Sequence, residues 1–160
     1  MEDANQGARK PTPPVGMYQC KLDDRFRLKL PADWVKYFEE LKESVLFVTS
    51  LDRLIAQIYP MSVWRANEEL LDTYTEDPDA AENLVFNAND LGSTLDIDSQ
   101  GRIVIPQKLR DALGMDGQLQ LYGSRGHIEV LTEAEYNKRK NVAAPSAREN
   151  LVKLKKAGLK

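Results

Sequence analysis

From residue 17 onward, apolar and polar positions alternate with period two in short stretches and recur at helical spacing between them. Residues 17–22 (Met-Tyr-Gln-Cys-Lys-Leu) alternate loosely and predict a strand, and Asp23-Asp24-Arg25 is a turn signal. Residues 26–30 (Phe-Arg-Leu-Lys-Leu) alternate strictly, which predicts a strand burying Phe26, Leu28 and Leu30 and sending Arg27 and Lys29 to the opposite face. Pro31 opens a helix on which Trp34, Val35, Phe38 and Leu41 share a face. Residues 45–49 form an apolar strand, Leu51-Asp52-Arg53 turns the chain, and residues 54–59 return. Pro60 and Ser62 start a helix running to about Leu71; Asp77-Pro78-Asp79 breaks it, and residues 79–88 are helical again.

The second half runs through the same order. Residues 94–98 and 102–105 are strands around the turn Ser99-Gln100-Gly101. Pro106 opens a helix carrying Leu109, Ala112 and Leu113, which Gly114 ends as a glycine C-cap does. Residues 118–122 and 127–131 are strands, and Thr132 with Glu135 forms a capping-box signature for a last helix. With a shift of 75, Asp23 falls on Asp98, Arg27 on Arg102, Leu30 on Ile105 and Pro31 on Pro106; with a shift of 72, Arg53 falls on Arg125 and Trp64 on Tyr136. Two copies of one strand–helix pattern predict an internal repeat. Units of ~50 residues are too small for a comfortable core, so the copies are expected to pack on each other. The expected organisation is a flexible arm at 1–16, a first lobe at 17–75, a connecting helical segment at 76–91, a second lobe at 92–139 and a basic tail at 140–160.

The arm holds Pro11, Pro13 and Pro14 and almost no apolar residue, too little to order itself. The 160 residues carry a net charge of −3, unevenly spread. Residues 18–36 are net +2, residues 37–90 net −9, and residues 137–160 net +7, with eight bases against Glu149 alone. A phosphate-binding surface needs clustering of this kind rather than an overall basic chain; the alternative for each charge run is a solvated face. No apolar run reaches the ~18 residues of a membrane span, and the polar start lacks the pattern of a signal peptide. Cys20 is the one cysteine and His127 the one histidine, so no intramolecular disulfide and no cysteine zinc site is expected.

Residues 95–110, Leu-Asp-Ile-Asp-Ser-Gln-Gly-Arg-Ile-Val-Ile-Pro-Gln-Lys-Leu-Arg, resemble the MraZ family of bacterial transcriptional regulators, with its D-x-K-G-R loop, apolar strand and I-P-x-x-L-R, twice per chain. Residues 23–31 resemble a degenerate first copy, and the likeness spans roughly residues 17–139. The resemblance implies an α+β fold of tandem AbrB-like swapped-hairpin lobes packed as one two-lobed domain. It also implies sequence-specific binding of double-stranded DNA at repeats upstream of a cell-division and cell-wall gene cluster, and a ring of several chains. Two positions depart from the family pattern. Phe26 stands where the family has the loop glycine, which predicts a different loop shape in copy one because phenylalanine takes a positive φ poorly. Gln100 stands where the family has lysine, which removes a charge from copy two.

Arg102 after Gly101 is a candidate phosphate or base-edge contact; its alternative is a surface arginine paired with Asp98. Arg25, Arg27 and Lys29 place three bases within five residues, on one strand face. Lys108 and Arg110 lie in the first turns of a helix, where cations oppose the dipole, a hint of another use. With Gln100 and Gly101 these complete the candidate DNA-binding set. Asp23 and Asp98 precede turns and bond turn backbone more readily than they act as paired acid and base. His127 and the serines lack partners for catalysis, and Trp34 and Trp64 sit at core spacing. The basic tail is either a DNA-tracking arm or a solvated end. The expected protein is therefore a cytoplasmic, nucleoid-associated DNA-binding regulator, not an enzyme. It is expected to need no cofactor, metal, membrane or small-molecule substrate, and to have DNA and itself as partners. The alternative is an antitoxin-like or scaffold protein of the same fold that acts by protein contacts.

Overall fold

The computed structural model describes residues 9–160. The first eight residues of the expected N-terminal arm lie outside the described residues, and residues 9–16 carry no helix or strand. The chain then forms β1 (Met17–Cys20), β2 (Arg27–Lys29), α1 (Ala32–Glu40), β3 (Val45–Thr49), β4 (Ala56–Pro60) and α2 (Met61–Thr73). The helix α3 (Pro78–Leu91) follows. Then come β5 (Ser93–Asp96), β6 (Arg102–Val104), α4 (Gln107–Leu113), β7 (Leu119–Ser124), β8 (His127–Thr132), α5 (Glu133–Ala143) and α6 (Ala147–Lys156). This is a mixed α+β fold on antiparallel sheets.

The two halves share their sheets. Six strands run in the order β1-β7-β8-β4-β3-β5, and β2 and β6 form a separate two-stranded ribbon. Thus β1 pairs with β7 of the other half, with Met17 opposite Tyr122, and β5 pairs with β3, with Val45 opposite Asp96. Neither half completes a sheet alone. The central strands alternate between two cores, as period-two geometry requires. Leu46, Val48 and Ile58 face a large core with Leu28, Trp34, Phe38, Ile103, Ile105, Leu109, Leu121 and Ile128. Phe47 and Tyr59 face the other side, against Trp64 of α2 and Ala88 of α3. The ribbon, α1 and α4 therefore cover one face of the sheet while α2 and α3 cover the other, which is why every residue of β4 is buried. Thr49 Oγ1 donates to the Ala88 carbonyl at 2.7 Å and ties α3 down.

Helix starts follow from local chemistry. Pro31, Pro60 and Pro106 each stand at the N-cap with φ near −60° and ψ near 144°, one residue before the first helical turn rather than inside it. The fixed proline φ sets the same entry angle three times. Asp77 accepts from the Ala80 N–H, so α3 begins at Pro78 and extends through Leu91, beyond the predicted 79–88. Thr132 accepts from the Glu135 N–H and starts α5, and Gly114 closes α4 with φ +67°. The first predicted strand stops at Cys20 because residues 21–26 are taken into a turn. Arg25 lies in that turn, so it does not share a strand face with Arg27 and Lys29 as predicted. The basic tail is helical, through α5 and α6.

Candidate nucleic-acid interface

The ribbon is short and amphipathic. Leu28 and Ile103 lie opposite each other and point into the core, while Arg27 faces Val104 and Lys29 faces Arg102 across the strands. Residues opposite each other in an antiparallel pair project to the same side. The outer face therefore carries Arg27, Lys29, Arg102 and the half-exposed Val104. A loop stands at each end: residues 23–26 lead into β2, and residues 98–101 lead into β6. Each loop closes on the strand of the other half, since the Leu30 N–H donates to the Gly101 carbonyl (2.9 Å) and the Ile105 N–H to the Phe26 carbonyl (3.0 Å).

The two loops are built alike. In the first, Asp23 Oδ1 accepts from the backbone N–H of Arg25 and Arg27, both at 2.9 Å, and Oδ2 accepts from Arg27 Nε at 2.7 Å. In the second, Asp98 Oδ1 accepts from the N–H of Gln100 (2.8 Å) and Arg102 (2.9 Å), and Oδ2 from Arg102 Nε (2.8 Å). Bonds from Asp23 N–H to the Arg27 carbonyl and from Asp98 N–H to the Arg102 carbonyl close the loops. The carboxylate thus shapes the turn and holds the arginine that follows it. Both carboxyls are held below the usual aspartate range, Asp23 chiefly by the Arg27 N–H and Asp98 chiefly by the Arg102 N–H. The expected alternative role for Arg102, a pair with Asp98, is present. It occupies Nε and leaves both terminal guanidinium nitrogens without a hydrogen-bond partner among the described residues.

The predicted difference in loop shape is absent. Phe26 adopts φ +61° and Gly101 φ +76°, so both loops pass through the left-handed region at the same step. A non-glycine residue there carries a cost of about 1–2 kcal/mol. What offsets it is visible across the ribbon. The Arg110 guanidinium lies over the Phe26 ring at 3.5 Å from its centroid, while Arg110 Nε donates to the Ile105 carbonyl at 3.1 Å. A stacked arginine contributes roughly 0.5–1 kcal/mol at an exposed site. The position that matches Arg110 in the first half is Val35, and Val35 stands against Gly101: a Cβ at Gly101 would sit 3.2 Å from Val35 Cγ2. The small residue faces valine, and the large one faces arginine. Phe26 is consequently not a core residue as the alternation predicted, but a half-exposed ring at the loop.

The charge missing at Gln100 is supplied from the neighbouring strand. Lys29 Nζ donates to the Gln100 carbonyl at 2.7 Å, placing an ammonium at the second loop. The structure gathers Arg25, Arg27, Lys29, Gln100, Gly101 and Arg102 on the ribbon and its loops. Lys108 and Arg110 are engaged within the chain instead. Lys108 pairs with Asp90 of α3, which also accepts from Arg53 at 2.8 Å. These two cations, Lys108 first, hold the Asp90 carboxyl below its ordinary value. Sequence reasoning missed the arginine-orienting role of Asp23, although the four-residue spacing shared by Asp23–Arg27 and Asp98–Arg102 was available to show it. It also missed the Phe26–Arg110 stack, for which no local signal existed.

Other chemistry-bearing residues are internal. His127 stacks on Tyr59 with centroids 4.7 Å apart, and its Nε2 lies 3.0 Å from Glu129 Oε1. Burial pushes the Tyr59 hydroxyl upward and the Cys20 thiol up to about 11, so Cys20 stays a thiol. Trp34 and Trp64 are core residues. No group of histidine, cysteine, aspartate or glutamate able to hold a metal occurs among the described residues, and no helix there is long and apolar enough to cross a membrane.

Comparison with known proteins agrees with the geometry. Residues 92–153 match the family model described as "MraZ protein, putative antitoxin-like". A protein of Acidobacterium capsulatum named transcriptional regulator MraZ is 32% identical over 115 residues, covering 72% of this chain and 79% of that protein. Its namesake in Koribacter versatilis is 30% identical over 145 residues, covering 90% of this chain and 98% of the relative. One from Desulfitobacterium hafniense is 31% identical over 146 residues, covering 88% and 97%. Similarity of this extent over both halves establishes that the chain belongs to the MraZ family.

Proposed function

We propose that the chain is a transcriptional regulator, not an enzyme, that grips double-stranded DNA with the outer face of the β2–β6 ribbon and the loops at its two ends. One observation carries the reading. Lys29 and Arg102 lie directly opposite each other, with Arg27 beside them. Like charges across a strand pair cost stability, and a ribbon that served only the fold has no need of them. A two-stranded ribbon fits the major groove, and arginine suits both phosphates and guanine edges. Asp23 and Asp98 support this use because they order Arg27 and Arg102 before DNA arrives, which lowers the entropic cost of binding. Lys108 and Arg110 flank the ribbon and act through Asp90 and Phe26, holding α3 and the first loop in place.

The exchange of β1 and β5 between halves fits a tandem swapped-hairpin arrangement of AbrB type. A single ribbon offers few phosphate contacts. Several chains in a ring, each presenting its ribbon along one edge, gain avidity on tandem DNA boxes. In this reading the boxes lie upstream of a cell-division and cell-wall gene cluster, and the protein acts in the cytoplasm on the nucleoid; the family resemblance supports both. The test is selection of bound fragments from genomic DNA, followed by salt titration of the enriched sequence. Short direct repeats should be enriched, and log affinity should fall with log salt at ~0.9 per phosphate neutralised. Absence of saturable binding at low salt refutes this reading and favours the antitoxin-like alternative that acts by protein contacts.

A further inference from the structure

Two surfaces outside the ribbon remain unpartnered in the folded chain, and they are complementary. The first lies between α2 and α3, an open groove of about 790 Å³. Leu71, Tyr74, Val85 and Phe86 supply its apolar wall, Phe86 being 65% exposed, and Asp72 and Glu82 stand on its rim. Around it Glu69, Asp72, Glu76, Asp79 and Glu82 have no cation partner among the described residues. The second is α6. Ala147, Leu151 and Leu154 fall at i, i+4 and i+7 and line one face; Arg148, Lys153, Lys155 and Lys156 surround it. No residue of α6 is buried, and Leu151 and Leu154 are 44% and 55% exposed. An amphipathic helix with anchors at this spacing is what an apolar groove receives.

We propose that α6 of one copy docks in the α2–α3 groove of a second copy. Charge supports the match, since a segment with eight bases and one acid meets one of net −9. In the folded chain the groove and the helix stay open together, so α6 does not fill the groove of its own copy. A tail that enters a different surface on the next chain makes a heterologous contact, the kind that closes into rings. The inference rests on the ring reading above and names one contact within it. It also gives the acidic middle, which DNA binding leaves unexplained, a purpose shared with the basic tail.

The test uses the full-length chain and two variants at exposed positions, Leu151→Asp with Leu154→Asp, and Phe86→Glu, with circular dichroism to show that both stay folded. Sedimentation of the wild type should give a multiple of 18.1 kDa. Each variant should weaken subunit association by roughly tenfold or more, as loss of a central anchor does. Mixing the two should restore a heterodimer, because one partner keeps its groove and the other its tail. If both variants retain the wild-type mass, the docking is refuted while the ring stands on another surface. If the wild type is a monomer at micromolar concentration, ring and docking fall together. If the tail variant keeps its mass but loses salt-dependent DNA affinity, the tail serves DNA and the docking proposal is overturned.

Discussion

The loop before β2 and the loop before β6 differ in sequence at their three middle positions and are nearly the same in structure. Asp-Asp-Arg-Phe-Arg and Asp-Ser-Gln-Gly-Arg both bend around a carboxylate, pass through the left-handed region at their fourth residue and present an arginine bonded through Nε. What they share is aspartate at the first position and arginine at the fifth. Glycine at the fourth position is replaceable, provided the residue across the ribbon changes with it. Each loop is therefore specified by a pair of residues far apart in the chain, Phe26 with Arg110 and Gly101 with Val35, as much as by its own five.

The sharpest way to break this equivalence is to exchange the fourth residues. Gly101→Phe places a ring against Val35 with no arginine to receive it, and should cost about 2–3 kcal/mol in denaturant unfolding, from backbone strain plus crowding. Phe26→Gly loses the Arg110 stack but relieves the strain, and should change stability by less than ~1 kcal/mol. Similar losses from both changes would mean that Arg110 does not accommodate Phe26.

Next in size are the arginines. Because both are held alike, Arg27→Ala and Arg102→Ala should weaken DNA binding equally, by about 1–2 kcal/mol each. Binding curves on a selected site and on random duplex at two salt concentrations check this. Loss of discrimination in only one variant would show that the loops divide readout from backbone grip. Lys29 has no equivalent cation in the second half, where Val104 stands. Lys29→Ala should cost roughly 0.5–1 kcal/mol on any duplex and lower the salt slope by ~0.9. An unchanged slope would mean that its ammonium serves only the Gln100 carbonyl.

The smallest expected effect is on acid stability. Asp23 and Asp98 both titrate below the ordinary aspartate value. A depressed folded-state pKa adds stability above the unfolded value of about 4, and that stability is lost as pH falls through the folded value. Asp23→Asn and Asp98→Asn should each flatten the fall in melting temperature below pH 4, by similar amounts. A clear inequality would show that one loop depends on its carboxylate more than the other.

Much of this was legible in one dimension. Period-two alternation located the first ribbon strand, a continuous apolar run located β3, and helical spacing placed Trp34 and Phe38 on one face. Prolines at 31, 60 and 106 marked three helix starts within a residue. These succeeded because each depends on neighbours within a few positions, where φ restriction and side-chain periodicity act. Asp77 was read as part of a break, yet it is the cap of α3, because a capping aspartate and a turn aspartate look the same until the following residues commit.

Other features depended on distance in the chain. That β1 joins β7 and β5 joins β3 follows from burying two incomplete apolar faces at once, which no local pattern encodes. The same holds for Phe26, predicted to lie inside by alternation and found at the loop beneath Arg110. It holds too for Lys108, whose charge is taken by Asp90. Most elements up to α5, the turn-forming aspartates and the arginines that follow them can be read from the chain alone, because those are set by short-range backbone chemistry. Which strand each loop closes on, which cations are left facing outward and which helix stays unpartnered emerge with the three-dimensional fold, because those are set by packing between residues far apart in the chain.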